Sequence, residues 1–226
     1  MPCCCQCEAI DRHFAADRVA GELADYARRG PTGTSRLILR ALRGLSPRIE
    51  SILDIGAGIG ALHHELIRGG TRSAVHVEAA SAYIEAARQE SIRRGHAGRV
   101  RFLHGDFLAL APSIAPADLV TLDRVVCCYA AFEPLIRLSA EKARWVYALS
   151  FPHDRWYVRA HTRWQNHRRK RAGNPFRTFV HSVPEIHALI RAAGFVVHRS
   201  CRTLAWQVLV CLRRTDLMGS GPYSAI

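Results

Sequence analysis

The sequence predicts an α/β fold: a mostly parallel sheet with helices on both faces. Three observations lead there. From residue 50 onward, short apolar runs alternate with amphipathic stretches, the rhythm of strand and helix that a parallel sheet covered on both sides requires. The first of these runs enters a glycine-rich turn from which a helix departs, Ile52-Leu53-Asp54-Ile55-Gly56-Ala57-Gly58-Ile59-Gly60. The chain has 226 residues, 49% hydrophobic and 23% charged, enough for one substantial core and too few for two generous domains.

Residues 8–29 read as a polar helix whose periodic apolar set is Ile10, Phe14, Val19, Leu23 and Tyr26. Gly30-Pro31-Thr32-Gly33 breaks it. Thr34 or Ser35 then caps a second helix through Leu37, Ile38, Leu42 and Leu45, stopped by Ser46-Pro47. Strands are expected at Ser51–Ile55, Ala74–Val77, Val100–Leu103, Asp118–Leu122 and Trp145–Phe151. Helices are expected at Leu62–Arg68 and Ser81–Arg94, with Leu135–Ala140 ending another. Section 152–182 departs from this rhythm: it is aromatic and basic, with Trp156, Tyr157, Trp164, the run His167-Arg168-Arg169-Lys170-Arg171, then Asn174-Pro175-Phe176. A helix at Pro184–Ala193 follows, then strands at Phe195–Val197 and Trp206–Leu212, whose short connection favours an antiparallel hairpin at the sheet edge. The expected organisation is an N-terminal helical cover (1–48), a main domain (49–213) with 152–182 inserted over the substrate, and a tail (214–226).

The net charge of +13 comes almost entirely from arginine, Lys142 and Lys170 being the lysines, and it favours an anionic partner over a cationic one. No apolar run has the length of a membrane span, and Met-Pro-Cys-Cys-Cys lacks the basic start and apolar stretch of a secretory signal, so a cytoplasmic location is expected. The eight cysteines are not spread as a secreted disulfide framework. Cys3, Cys4, Cys5 and Cys7 invite a metal reading, but consecutive residues converge poorly on one ion, so no metal site is expected.

The chemistry centres on the glycine turn. Glycines let the backbone bend tightly and let a ligand approach the peptide groups without a Cβ in the way. Spacing alone also allows a dinucleotide fold. Asp54 lies inside the strand just before the glycines, where it would repel a pyrophosphate but tolerate a zwitterionic amino acid. The second strand ends in Glu78, suited to two ribose hydroxyls, and the third leads into Asp106-Phe107, an acceptor beside an apolar ring suited to an adenine amino group.

With these features in order, residues 50–213 resemble the class I S-adenosylmethionine-dependent methyltransferases. The resemblance implies S-adenosylmethionine as cofactor and a Rossmann-like seven-stranded sheet in the order 3-2-1-4-5-7-6 with its last strand antiparallel. It implies a cofactor loop of Asp54, Gly56, Ala57, Gly58 and Gly60, a ribose contact at Glu78 and Ala79, and an adenine contact at Asp106 and Phe107. Asp123 ends the fourth strand, which in this family faces the sulfonium and the acceptor. On these grounds Gly58→Val and Asp54→Ala are each expected to abolish cofactor binding without unfolding the chain.

On the acceptor side the resemblance brings Asp123, Arg124, Cys127, Cys128 and Tyr129 close to Phe151, Pro152, His153 and Asp154, with His153 and Tyr129 as acid–base candidates. Asp123-Arg124-Val125-Val126 does not match the motif of nucleobase amino methyltransferases, and Asn174-Pro175-Phe176 lies in the wrong place for it. Trp156, Tyr157, Trp164 and Phe176 are expected either to line an apolar pocket beside Arg155, Arg159 or Arg163, or to pack as an amphipathic helix. The layout is similar to the magnesium-protoporphyrin O-methyltransferase-like group: a helical start, Tyr129 soon after the fourth strand, and an insertion after Phe151-Pro152. The expected activity is O-methylation of a small anionic or aromatic metabolite. A porphyrin carboxylate is one version, and RNA, favoured by the His167–Arg171 run, is the competing acceptor. A non-catalytic cofactor-binding regulator is a third reading.

Overall fold

Strand β1 (Ser51–Ile55) is buried along nearly its whole length and lies in the middle of the sheet. In the computed structural model, which describes residues 5–45 and 48–214, it pairs in parallel with β2 (Ser73–Glu78) on one side and β4 (Ala117–Asp123) on the other. Beyond β2 lies β3 (Val100–His104), and beyond β4 lies β5 (Ala143–Pro152), both parallel. The hairpin β6 (Phe195–Arg202) and β7 (Trp206–Arg213) folds back so that β7 pairs antiparallel with β5. The seven-stranded order is therefore β3-β2-β1-β4-β5-β7-β6, as the sequence predicts.

The two-residue period of each strand divides the core between the faces. Leu53, Ile55, Val120, Leu122, Tyr147 and Leu149 point to one face, covered by α7 (Phe132–Glu141) and α9 (Val183–Ala192). Ile52, Leu119, Val146 and Ala148 point to the other, covered by α3 (Gly33–Leu42) and α4 (Ala61–Arg68). A third cluster joins α1 (Cys5–His13) and α2 (Ala16–Arg29) to α5 (Ser81–Arg93) through Val19, Tyr26, Tyr83 and Phe176.

Four details differ from the sequence pattern. The stretch 8–29 is two helices, because Phe14 leaves the helical line and turns its ring toward Tyr83 and Phe176. Section 152–182, where the strand rhythm lapses, holds one long helix, α8 (Trp156–Arg171), whose Trp156 and Trp164 face outward instead of packing on the core. The sixth strand runs on to Arg202, past a bulge between Val197 and Arg199, because an edge strand tolerates charged residues facing solvent. Asp106 caps a short helix, α6 (Phe107–Leu110), which the apolar pattern alone does not separate from the strand before it.

Ser46-Pro47, Cys3 and Cys4, and the tail beyond Arg214 lie outside the described residues. Cys127, Cys128, Cys201 and Cys211 are free thiols. Among the described residues no group of three His, Cys, Asp or Glu side chains is arranged to hold a metal ion, and no helix is long and apolar enough to cross a membrane.

Candidate active site

The carboxyl ends of the parallel strands open into one cavity of about 440 Å³, where ligands of open α/β sheets bind. Its floor is the turn after β1. Gly56, Gly58 and Gly60 all have positive φ, at 61°, 56° and 82°, a region that side-chain-bearing residues rarely adopt. A Cβ on Gly56 would stand 2.5 Å from Val125 Cγ2, so this backbone passes where no side chain fits. Gly56 N–H and Ala57 N–H both donate to Val77 O, at 2.8 and 3.3 Å, tying the turn to the second strand.

Glu78 closes the same side. Its Oε2 accepts from Gly58 N–H at 2.9 Å, and its Oε1 from Ala79 N–H at 2.8 Å and Ala80 N–H at 3.0 Å. Burial pushes its pKa up, and the three amide donors push it back down in part. A carboxylate offers about four acceptor positions, so these three bonds leave capacity on Oε2 at the wall of the cavity.

Asp54 is held differently. It is buried, accepts from His63 Nδ1–H at 3.0 Å, and takes the Thr121 hydroxyl at 2.5 Å. Its two oxygens brace β1 to α4 and β4. That arrangement revises the expectation for Asp54→Ala, because removing this carboxylate strands two buried donors as well as changing the cavity. Asp106 Oδ1 takes the Leu108 N–H at 3.1 Å and the Tyr129 hydroxyl at 2.7 Å. Its neighbours Gly105 and Phe107 reach the cavity wall, as does Tyr129.

At the end of β4, Asp123 Oδ1 accepts from Ser150 Oγ–H and Oδ2 from Ser35 Oγ–H, each at 2.5 Å. Arg124 follows with φ of 63°, the non-glycine residue with positive φ among those described. Its N–H donates to Ser150 Oγ at 2.8 Å, and its guanidinium lies 3.7 Å from Glu22. Strain of this kind, roughly 1–3 kcal/mol, persists where the surroundings hold it in place and marks functional positions. Here it turns Arg124 into the cavity.

The upper half of the cavity is built by α1, α2 and the segment after α8. Tyr83 O–H donates to Glu22 at 2.5 Å, and Asp11 accepts from both Ser81 N–H and Ser81 Oγ at 2.7 Å, pinning both helices over α5. Asn174 accepts from Phe176 N–H at 2.9 Å and shares a bond with His13 at 3.1 Å. The Asn174-Pro175-Phe176 turn thereby sets Phe176 against His13, stacked at 4.3 Å. Arg169 lies over the same ring, 5.2 Å from its centre, and bonds to Asn166 and Thr178. Burial, with Arg18 and Arg177 adding to it, draws the Arg169 pKa down. Burial and the cations Arg18 and Arg169 draw His13 down to about 4.

Residues 52–146 match the family model described as a methyltransferase domain. That stretch is a methyltransferase domain of the class I S-adenosylmethionine-dependent kind. An O-methyltransferase family protein of Burkholderia thailandensis superposes with a TM-score of 0.69 at 17% identity, over 91% of this chain and 63% of that one. This methyltransferase thus spans less than two thirds of that relative's length. The magnesium protoporphyrin IX methyltransferase of Synechocystis PCC 6803 superposes with a TM-score of 0.67 at 16% identity, over 92% of this chain and 99% of that one. The Haloferax volcanii putative methyltransferase in complex with the Trm112 activator does so with a TM-score of 0.68 at 16% identity, over 90% and 96%. No curated protein matches the chain in sequence. At such identities the likeness is one of fold.

S-adenosylmethionine is the cofactor, and the residues of the methyltransferase fit it. The bare Gly58 backbone, the acceptor capacity of Glu78, the apolar face of Phe107 and the carboxylate of Asp123 all border one cavity. When bound, it supplies an electrophilic methyl group. Gly58 and Ala57 would leave room for it, Glu78 would accept from its hydroxyls, and Asp123 would offer a carboxylate to its positive charge.

Other sequence candidates lie elsewhere. His153 is buried in a second cavity, beside Asp154, Arg155, Arg202 and Gln207, not in the one described above. Trp156 and Trp164 point to solvent, and Arg155, Arg159 and Arg163 do not reach the main cavity. The inward line of α8 is Val158, Thr162, Gln165 and Arg169. Sequence reasoning missed Arg18, Arg169 and His13 as cavity residues. The spacing 158, 162, 165, 169 carries the signal as one helical face, but its apolar content is a single valine.

Behind the glycine turn, His63, His64 and His76 are buried, and each keeps at least one ring nitrogen without a partner. Burial, then the charges of His63 and Arg94, pushes His64 down to about 2, and burial holds His76 well below the imidazole range. Below about pH 6.5 the unfolded chain takes protons at these rings and the folded chain does not. The unfolded state then binds more protons, so stability falls as pH falls. Glu78 acts in the opposite sense, its raised pKa favouring the folded form as it protonates, but one carboxyl stands against two imidazoles. Urea unfolding is expected to give about 2–4 kcal/mol less stability at pH 5 than at pH 7. An unchanged midpoint across that range would contradict neutral burial of His64 and His76.

Proposed function

We propose that this methyltransferase transfers the methyl group to an oxygen of a small anionic acceptor, a carboxylate above all. The observation that carries the reading is the pair Arg18 and Arg169. Both line the upper half of the cavity, and neither has a carboxylate partner among the described residues. Arg169 is partly buried and Arg18 exposed at the rim; guanidinium groups without a counter-charge at a cavity favour an anion, and their planar donors suit carboxylate geometry. Phe14 and Phe176 beside them suit an apolar or aromatic body.

A carboxylate also fits the acid–base inventory. It is nucleophilic at neutral pH and needs no proton removed, so alignment and exclusion of water suffice. Tyr129, proposed from the sequence as a base, donates its hydroxyl to Asp106, and His153 faces the other cavity. A porphyrin carboxylate is the narrower version of this reading, and the two N-terminal helices serve as the acceptor's cover.

The test is transfer of labelled methyl from S-adenosylmethionine to fractionated cell extract, followed by mild alkali. A methyl ester releases its label as methanol, whereas alkali-stable label would overturn the reading in favour of nitrogen, carbon or ether methylation. Arg169→Ala is expected to raise KM for the acceptor at least tenfold, a loss of about 1.4 kcal/mol. The affinity for S-adenosylmethionine should stay within about twofold.

A further inference from the structure

Between Asp154 and Glu185 the chain has no acidic residue, seven arginines and one lysine. Most of these lie on α8, whose inward face lines the active-site cavity and whose outward face carries Trp156 and Trp164 among the cations. Trp156 is 79% exposed and Trp164 53%. Beside Trp156 stands the tip of the β6–β7 hairpin, where Leu204 is 81% exposed. Tyr157 fixes the two together by donating its hydroxyl to Leu204 O at 2.9 Å. At the foot of this patch lies the second cavity, about 560 Å³, bordered by Arg155, Arg202, His153, Gln207 and one acid, Asp154. Two polar atoms buried there have no partner, His153 Nδ1 and Gln207 Oε1.

We propose that this face docks on an anionic membrane surface. Trp156, Trp164 and Leu204 enter the interface, and a lipid headgroup phosphate seats between Arg155 and Arg202 with His153 Nδ1 as a further donor. Large apolar side chains standing proud among arginines form the pattern of an interfacial helix. The absence of acids over the whole segment suits a negative surface and would not help at a neutral one. Nucleic acid satisfies the arginines and can stack on tryptophan, but it offers nothing to an aliphatic side chain at a hairpin tip, whereas an acyl region does. Because α8 is also a wall of the active-site cavity, docking sets that cavity against the bilayer. The inference rests on the surface alone and stands whatever acceptor the cavity takes.

The test is flotation of the full chain with vesicles of phosphatidylcholine, with or without phosphatidylglycerol. The chain is expected to float with the anionic vesicles only, and to be released in about 1 M salt, where the screening length is near 3 Å. Trp156→Ser with Leu204→Ser should weaken partitioning at least about tenfold. Arg155→Gln with Arg202→Gln should weaken it at least about fivefold. The melting temperature should not move with the first pair, since both side chains are exposed. Failure to float with anionic vesicles overturns the proposal, and so does flotation that ignores the Trp156 and Leu204 changes. Transfer RNA that binds the chain and displaces it from vesicles would assign the face to nucleic acid instead. Displacement by glycerol phosphate at low millimolar concentration would make the second cavity a site for free phosphate esters and equally end the membrane reading.

Discussion

Asp54→Ala is expected to lower the unfolding free energy by about 2–5 kcal/mol, since each buried donor left without an acceptor costs about 1–3 kcal/mol. The carboxylate accepts from His63 Nδ1 and from the Thr121 hydroxyl. Alanine leaves both donors buried without acceptors, between β1, α4 and β4. The loss is large against the 5–15 kcal/mol that stabilises a typical domain. Asp54→Asn keeps the volume and one acceptor and should recover part of it. Urea melts measure the effect, with an unchanged slope showing that the transition stays two-state. Wild-type stability in Asp54→Ala would mean that the carboxylate does not brace the cofactor turn.

Gly58→Val should weaken S-adenosylmethionine binding by about 100-fold or more while the chain stays folded. Gly58 has a φ of 56°, and a Cβ there would lie 3.7 Å from the Tyr83 ring, within ordinary contact distance. The obstacle is therefore the backbone: a β-branched residue at this φ costs about 1–3 kcal/mol. Relief by a shift of the turn breaks the Gly58 N–H bond to Glu78. If the turn does not shift, the valine methyls occupy the cavity. Either route removes the contact, and a penalty of 2.7 kcal/mol is already 100-fold. Calorimetric titration with S-adenosylmethionine and its demethylated product measures it. Wild-type affinity would place the cofactor elsewhere.

The sheet was legible because its evidence is local. Ser51–Ile55 is a short apolar run ended by glycines, and the hairpin 195–213 has a connection too short for a crossover. The candidate cofactor residues could be named for the same reason, since each sits at or near the place where a strand stops. What escaped was set by distant contacts. The break at Phe14 follows from rings that lie 69 and 162 residues further on, Tyr83 and Phe176. The inward choice of Arg169 over Arg163 depends on which face of α8 lines the cavity, and a helix so rich in arginine carries almost no apolar stripe to reveal it. Nor can spacing show that Asp54 is shared between a histidine on α4 and a threonine on β4.

The placement of β7 constrains how the chain is made. This strand is translated after its neighbours on both sides, yet it is inserted between them, and Val208, Leu209, Val210 and Cys211 are fully or almost fully buried there. Until the ribosome releases residues 206–213, the exposed edge of β5 presents Val146 through Phe151 with open backbone groups, a ready template for pairing with another nascent chain. A stop codon that removes only these last eight residues of the sheet would leave the cofactor turn intact in sequence and the protein prone to aggregate.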